Sequence, residues 1–240
     1  MNKKLVVITG ASSGIGLAIA KTFSKQGHPL LLLARRIERL QDLNLPNTLC
    51  KKVDVRDLES FTNAIAEAEK IYGDVDLLVN NAGLMQLGDV IDQDVNEWNN
   101  MVDVNLKGVF NGCHIVVNKM VANKHGTIIN MSSIAGKKAT AGRAVYNATK
   151  FGVSAFTESL RQEVHKDNVR VIAICPGIVA TELQGHTTSK KYKESLMALA
   201  NNPQTALQPQ DIADTVSYVY NVPQNVCVRD LVITPTDQER

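Results

Sequence analysis

The chain is poor in aromatic side chains. Five Phe, five Tyr and one Trp in 240 residues are too few for a base-stacking nucleic-acid surface. It has no charge surplus either. The 26 basic and 24 acidic side chains leave a formal net charge of +2, far from the basic field that phosphate-backbone binding needs. No apolar run approaches the roughly 18 residues that cross a bilayer as a helix. The amino terminus, MNKKLVVITG, places two Lys before an apolar stretch, but Leu5–Ile8 is shorter than the roughly seven residues of a secretory core. Cys50, Cys113, Cys175 and Cys227 are widely separated with no C-x-x-C pair, which predicts reduced thiols packed as small hydrophobes. His28, His114, His125, His165 and His186 show no ligand spacing, so no metal is expected. Repeats, linkers and low-complexity stretches are also missing. These absences predict a soluble, cytoplasmic protein with no nucleic-acid or membrane partner.

What is present is an ordinary globular composition, 44% hydrophobic and 21% charged, in a chain long enough for a full core. Short apolar runs at 4–9, 29–34, 49–53, 75–80, 126–132, 169–175 and 231–234 read as strands. Several are continuously apolar (LVVI, LLLL, VIAI), as befits a sheet buried on both faces. Between them, helical spacing runs over 15–26, 57–72, 95–122, 145–166 and 210–220, the third of these long enough to bend. This alternation predicts a Rossmann-like α/β fold: a doubly wound parallel sheet with helices on both faces. The single domain is expected to span 1–240. One stretch, 185–203, breaks the rhythm with HTTSKKYKE and reads either as a substrate-binding lid or as a solvated surface helix.

TGASSGIG (Thr9–Gly16) lies between the first strand and the first helix. Gly10 suits a tight turn off the strand, and Gly14 allows a ligand close to the backbone. Gly16 lets the helix approach the sheet, and the free N–H groups around Ser12, Ser13 and Ile15 suit a pyrophosphate. After the second strand, where an acidic residue would favour NAD, the chain reads Ala34-Arg35-Arg36. Two guanidiniums suit the 2′-phosphate of NADP(H), Arg35 more than Arg36, unless the run is only a solvated helix start. Asp54, followed by Val55, sits where a carboxylate can receive an adenine amino group or simply flank a helix.

Tyr146 and Lys150 are spaced i,i+4 in YNATK, so a predicted helix puts them on one face. A phenol near its ordinary pKa of about 10 is a poor base at neutral pH, and a neighbouring cation lowers that value. The pair is therefore an acid/base unit. Ser133, 13 residues before Tyr146, offers a hydroxyl for a substrate oxygen. Asn105 falls inside a helical pattern where Asn is disfavoured, which suggests a proton relay or a bound water. Lys137, Lys138 and Arg143 either receive a substrate carboxylate or are solvated.

TGASSGIG, NNAG (80–83), Asn105, Ser133, Tyr146-x-x-x-Lys150 and PGIVAT (176–181) occur in one order. Together they resemble the short-chain dehydrogenase/reductase superfamily. The resemblance implies a homotetramer or homodimer and the strand order 3-2-1-4-5-6-7. Tyr146 would be the acid/base, and Lys150 would lower its pKa and bind the nicotinamide ribose. Ser133 would orient a small carbonyl or hydroxy substrate, and Asn105 would hold a relay water. Asn81, Ala82 and Gly83 would lie beside the adenosine ribose, and Pro176, Gly177, Ile178 and Thr181 beside the carboxamide. The carboxyl-terminal phrases resemble the NADP-dependent 3-hydroxy acid (serine-type) dehydrogenase branch. HPLLLLARR, LNLPNTLC and SSIAGKK are similar to NADPH-dependent blue fluorescent proteins of the superfamily. That likeness implies enhanced emission of bound NADPH. Two functions follow: an NADP(H)-dependent oxidoreductase, or a non-catalytic NADPH-binding fluorescent or redox-sensing protein.

Overall fold

Residues 3–238 are described by a computed structural model; the ends of the expected 1–240 span, 1–2 and 239–240, lie outside the described residues. Seven strands run β1 (Leu5–Thr9), β2 (Leu30–Ala34), β3 (Thr48–Lys52), β4 (Val75–Asn80), β5 (Gly126–Met131), β6 (Val169–Pro176) and β7 (Asp230–Ile233). All pair in parallel, in the order β3-β2-β1-β4-β5-β6-β7, as the resemblance implied.

The apolar runs bury both faces because side chains alternate along a strand. Leu5, Val7, Leu31, Leu33, Leu78 and Ile128 point into one layer, and Val6, Ile8, Leu30, Leu32, Leu77 and Ile129 into the other. Helices α1 (Gly14–Lys25), α2 (Ile37–Gln41), α3 (Leu58–Tyr72), α4 (Val95–Val102), α5 (Gly108–Asn123), α6 (Ala144–Val164), α7 (Lys190–Ala200) and α8 (Pro209–Asn221) fill the crossovers. Phe61 and Ile65 of α3, Val109 of α5 and Val153 of α6 close the first layer. Ile19 and Phe23 of α1 with Ile212 and Val216 of α8 close the second. Local chemistry sets several helix starts. The Asp57 carboxylate accepts from the Glu59 and Ser60 N–H groups, and α8 begins with Pro209 while Asp211 accepts from Gln208 N at 2.7 Å.

The chain leaves β1 toward β3, then returns across β1 to β4. That reversal opens a crevice at the carboxyl ends of β1 and β4, where ligands bind in open α/β sheets. Two segments differ in detail from the sequence pattern. The long helix expected over 95–122 is two helices, α4 and α5, joined by a π-helical turn at Asp103–Lys107; such turns mark functional positions, and this one carries Asn105. The 185–203 excursion is a short 3₁₀ turn (Glu182–His186) followed by α7. It is a surface helix with a buried face at Leu196 and Ala200. No helix among the described residues is long and apolar enough to cross a membrane.

Candidate active site

A cavity of about 790 Å³ lies over the carboxyl ends of the central strands. Every residue expected to touch a cofactor lines its wall except Gly16. A Cβ on Gly16 would strike the Gly10 carbonyl and stand 2.6 Å from Asn81 Nδ2. Gly16 therefore seats α1 against the loop, beneath the wall. Gly10 and Gly14 do face the cavity, with φ of +65° and +53°, a left-handed region costly for other residues. Gly10 also lies against the Ala82 backbone: a Cβ there would be 2.9 Å from Ala82 Cα.

The NNAG segment fastens this loop. The Thr9 hydroxyl accepts from the Asn81 and Ala82 N–H groups, both at 2.9 Å. Asn81 Nδ2 donates to the carbonyls of Thr9 at 2.9 Å and Gly10 at 3.3 Å. The Asn81 side chain thus holds the loop's shape. At the start of α1 no side-chain oxygen caps the first-turn N–H groups, and no acidic residue stands in that turn. An anion can take that place.

At one end of the cavity Arg36 donates to Ser13 Oγ at 3.1 Å, Ser12 Oγ at 3.4 Å and Glu182 Oε2 at 3.0 Å. Arg35 lines the same end; no hydrogen bond or ion pair ties it to another described residue. Asp54 is on the wall too. Its carboxylate accepts the Arg56 fork at 2.9 and 2.7 Å, which holds it below the usual carboxylate range.

At the other end stand Ser133, just past β5, and Tyr146 and Lys150 on the first turns of α6. Both α6 side chains are buried, Tyr146 at 6% and Lys150 at 6% exposure. Burial pushes the Tyr146 phenol above its ordinary value; the Ser133 hydroxyl and the Arg143 guanidinium oppose that shift. The Lys150 side chain enters the same cavity wall. Its ammonium needs an acceptor in the interior and finds the Met131 carbonyl at 2.8 Å. It lies 5.8 Å from the Tyr146 ring centroid, and burial brings its pKa down to about 8.

Asn105 is buried and off the cavity wall. Its Nδ2 donates to the Leu84 carbonyl at 2.9 Å and to Thr149 Oγ1 at 3.1 Å, while Oδ1 accepts from Leu84 N at 2.8 Å. The amide is occupied in tying the NNAG segment to α6. These bonds make it a positioning residue for the NNAG segment.

Of the three cations considered for a carboxylate, Lys137 pairs with Asp230 of β7 and lies off the wall, whereas Lys138 and Arg143 line it. Arg143 is half-buried at the amino end of α6.

Sequence reasoning missed several wall residues. Leu196 and Leu199 come from α7, and Glu182 and Leu183 from the 3₁₀ turn before it. Gln238, near the carboxyl terminus, accepts from Ile178 N at 3.0 Å through Oε1. No local pattern marks them, since the chain returns to the cavity only through tertiary packing. The Leu residues on one face of α7 were the available signal. Trp98 packs with Tyr146, Met85 and Leu196 in one apolar cluster, and its indole N–H donates to Gln93 Oε1 at 2.9 Å.

Residues 4–192 match the family model for short chain dehydrogenase. The chain belongs to the short-chain dehydrogenase family. An uncharacterized oxidoreductase of Staphylococcus saprophyticus is 40% identical over 98% of this chain and 97% of that protein. Among solved structures, the closed form of a serine dehydrogenase complexed with NADP+ superposes with a TM-score of 0.92. It is 34% identical, over 98% of this chain and 96% of that one. Serine dehydrogenase from Escherichia coli gives 0.85 at 32% identity, over 98% and 100%. This short-chain dehydrogenase therefore carries the family's oxidoreductase fold, with the expected motifs set around one cavity.

Proposed function

We propose that this short-chain dehydrogenase transfers hydride between NADP(H) and a small hydroxy acid or its oxo acid. One observation carries the reading: a single cavity joins Arg35 and Arg36 at one end to Ser133, Tyr146 and Lys150 at the other. The cavity fits the dinucleotide. Gly10 and Gly14, at positive φ, let the loop fold closely against Ala82 and Thr181, and the uncapped first turn of α1 faces the place of a pyrophosphate. Arg35 offers an arginine fork to a 2′-phosphate, where an NAD site would carry a carboxylate.

When bound, the cofactor supplies or accepts the hydride at its nicotinamide. The chain's own residues do the rest. Ser133 donates to the substrate oxygen. Tyr146, held protonated by burial, gives its proton to that oxygen during reduction and takes it back during oxidation. Lys150 binds the nicotinamide ribose. Arg143, half-buried on the wall beside Tyr146, receives the substrate carboxylate, with Lys138 at the rim. The serine dehydrogenase likeness supports an acid as substrate.

The same walls support a second observable. Leu183, Leu196 and Leu199 make one side of the cavity apolar, so a clamped NADPH is shielded from water and gains blue emission. The exposed apolar residues Val102, Phe110 and Phe151, with the Phe110 ring tilted against Phe156 at 4.5 Å, support a homodimer or homotetramer. Four free thiols suit a reducing, cytoplasmic setting.

The deciding experiment follows NADPH oxidation with a panel of 3-oxo acids, neutral ketones and aldehydes, in wild type and Tyr146→Phe. Turnover of an oxo acid that disappears in the variant is the expected result. A variant as fast as wild type overturns the catalytic reading. Blue emission on adding NADPH, with no turnover of any carbonyl, would favour the binding-protein reading instead.

A further inference from the structure

Glu182 is an acidic side chain on the cavity wall that pairs with Arg36. It opens the 3₁₀ turn that roots α7, directly after Thr181, whose methyl lies against Gly14. Its carboxylate spans two guanidiniums. Oε2 accepts from Arg36 Nη1 at 3.0 Å, and Arg39 Nη1 donates to Oε1 at 2.8 Å and to Oε2 at 3.1 Å. Arg39 and Arg36 hold the group below the usual carboxylate range, so it is ionised at neutral pH.

An arginine fork receives a carboxylate and a phosphate with the same geometry. Arg36 is already turned by the Ser12 and Ser13 hydroxyls toward the glycine-rich loop. Glu182 therefore holds the guanidinium that a 2′-phosphate would take. Both ion pairs are about half exposed, and pairs of this kind are weak enough to exchange. Arg36 and Arg39 share the Glu182 carboxylate, and Arg35 lines the same end of the cavity. A phosphate monoester, which carries close to two negative charges at neutral pH, suits that surplus of guanidiniums.

We propose that Glu182 is a cofactor-specificity residue: a resident competitor that gives Arg36 up to the 2′-phosphate of NADP(H) while keeping Arg39. The exchange rests on the NADP(H) reading above. A cofactor without the 2′-phosphate has no group that draws Arg36 from Glu182, so that pair stays closed. Because Glu182 is the first residue of the segment that leads into α7, phosphate arrival also loosens the root of the cavity's apolar wall.

The test uses the fragment that carries the phosphate without the nicotinamide. Calorimetric affinities of adenosine 2′,5′-bisphosphate and adenosine 5′-monophosphate are compared in wild type, Glu182→Gln and Arg39→Ala at fixed salt. Glu182→Gln removes the competing charge at constant shape. It is expected to tighten the bisphosphate about fivefold, the scale of one charge at a partly solvated site, and to leave the monophosphate unchanged. Arg39→Ala, which leaves the carboxylate wholly to Arg36, is expected to weaken the bisphosphate. Bisphosphate affinity that is unchanged or weaker in Glu182→Gln overturns the proposal and makes Glu182 a support for Arg36. If wild type binds both nucleotides equally, the NADP(H) reading fails and the competitor role fails with it.

Discussion

Lys150→Met should make the free protein more stable while removing its activity. Lys150 is 6% exposed, and burial lowers its pKa from 10.5 to about 8. At about 1.4 kcal/mol per unit, that shift is a cost of about 3 kcal/mol for holding the ammonium in the interior. Methionine keeps the stem's volume without the charge. Against this gain, the Met131 carbonyl loses its 2.8 Å donor, which costs about 1–2 kcal/mol. The net is a gain of about 1–2 kcal/mol, or about 2–8 °C in Tm for a chain of this size. The gain has a pH signature. Below pH 8 the lysine is protonated in both the folded and unfolded chains, and the full penalty applies. Between pH 8 and 10.5 the unfolded chain still holds the proton that the folded protein has released, so wild-type stability rises with pH. The variant lacks that rise, so its advantage shrinks above pH 8 and reverses before about pH 10.5, where only the lost Met131 bond remains. Urea unfolding of both proteins at pH 7, 9 and 10 reads the difference, in which every shared titration cancels. A variant less stable than wild type at pH 7, or an advantage that ignores pH, refutes the reasoning. It would mean that Lys150 is carried at no cost and that the Met131 bond is structural.

Three further outcomes follow from the same geometry. Because burial raises the Tyr146 pKa, carbonyl reduction should hold steady through neutral pH and fall only on the alkaline limb, where the phenol loses its proton. Alcohol oxidation should rise over that limb; a reduction profile that falls below pH 7 contradicts the assignment. Arg35→Ala should weaken NADPH about 10- to 100-fold, the range of a lost charge-assisted bond, and leave NADH unmoved in a fluorescence titration; equal losses for both would place Arg35 away from the phosphate. Arg143→Gln should raise KM for an oxo acid about tenfold with little change for a neutral ketone, and an equal rise for both substrates would remove the carboxylate role.

The fold was legible because its signals are local. Leu30–Leu33 is continuously apolar and four residues long, which only a strand buried on both faces requires, and all four are at most 1% exposed. Gly10 and Gly14 were legible for a similar reason: the turn itself demands a φ that other residues resist. What the sequence hid is what packing decides. Helical spacing set Lys150 on the face of Tyr146 but was silent on the Met131 carbonyl that draws the ammonium aside. Asn105 was conspicuous as a polar residue in a helix, yet its use depends on Leu84 and Thr149, which approach it only once the sheet is closed.

The two ends of the cavity differ in a way that follows from this. At the Tyr146 end the Lys150 ammonium is buried and committed to the Met131 carbonyl, so its substitution trades stability for chemistry. At the Arg35 end the charges are half exposed and exchange partners cheaply. Affinity for the cofactor is therefore set where the protein gives up little to bind it. The strain of the site is concentrated in one buried lysine, whose cost the fold carries whether or not a ligand is bound. Relief of that cost on binding is then part of the cofactor's affinity, since hydroxyl acceptors brought to Lys150 favour its charged form. The Lys150 pKa should accordingly rise when NADPH is added, and protons should be taken up above pH 8. Calorimetric titration at pH 8.5 in buffers of different ionisation enthalpy measures that uptake. A proton count of zero would mean that the lysine keeps the Met131 carbonyl as its sole partner and that the ribose is held elsewhere.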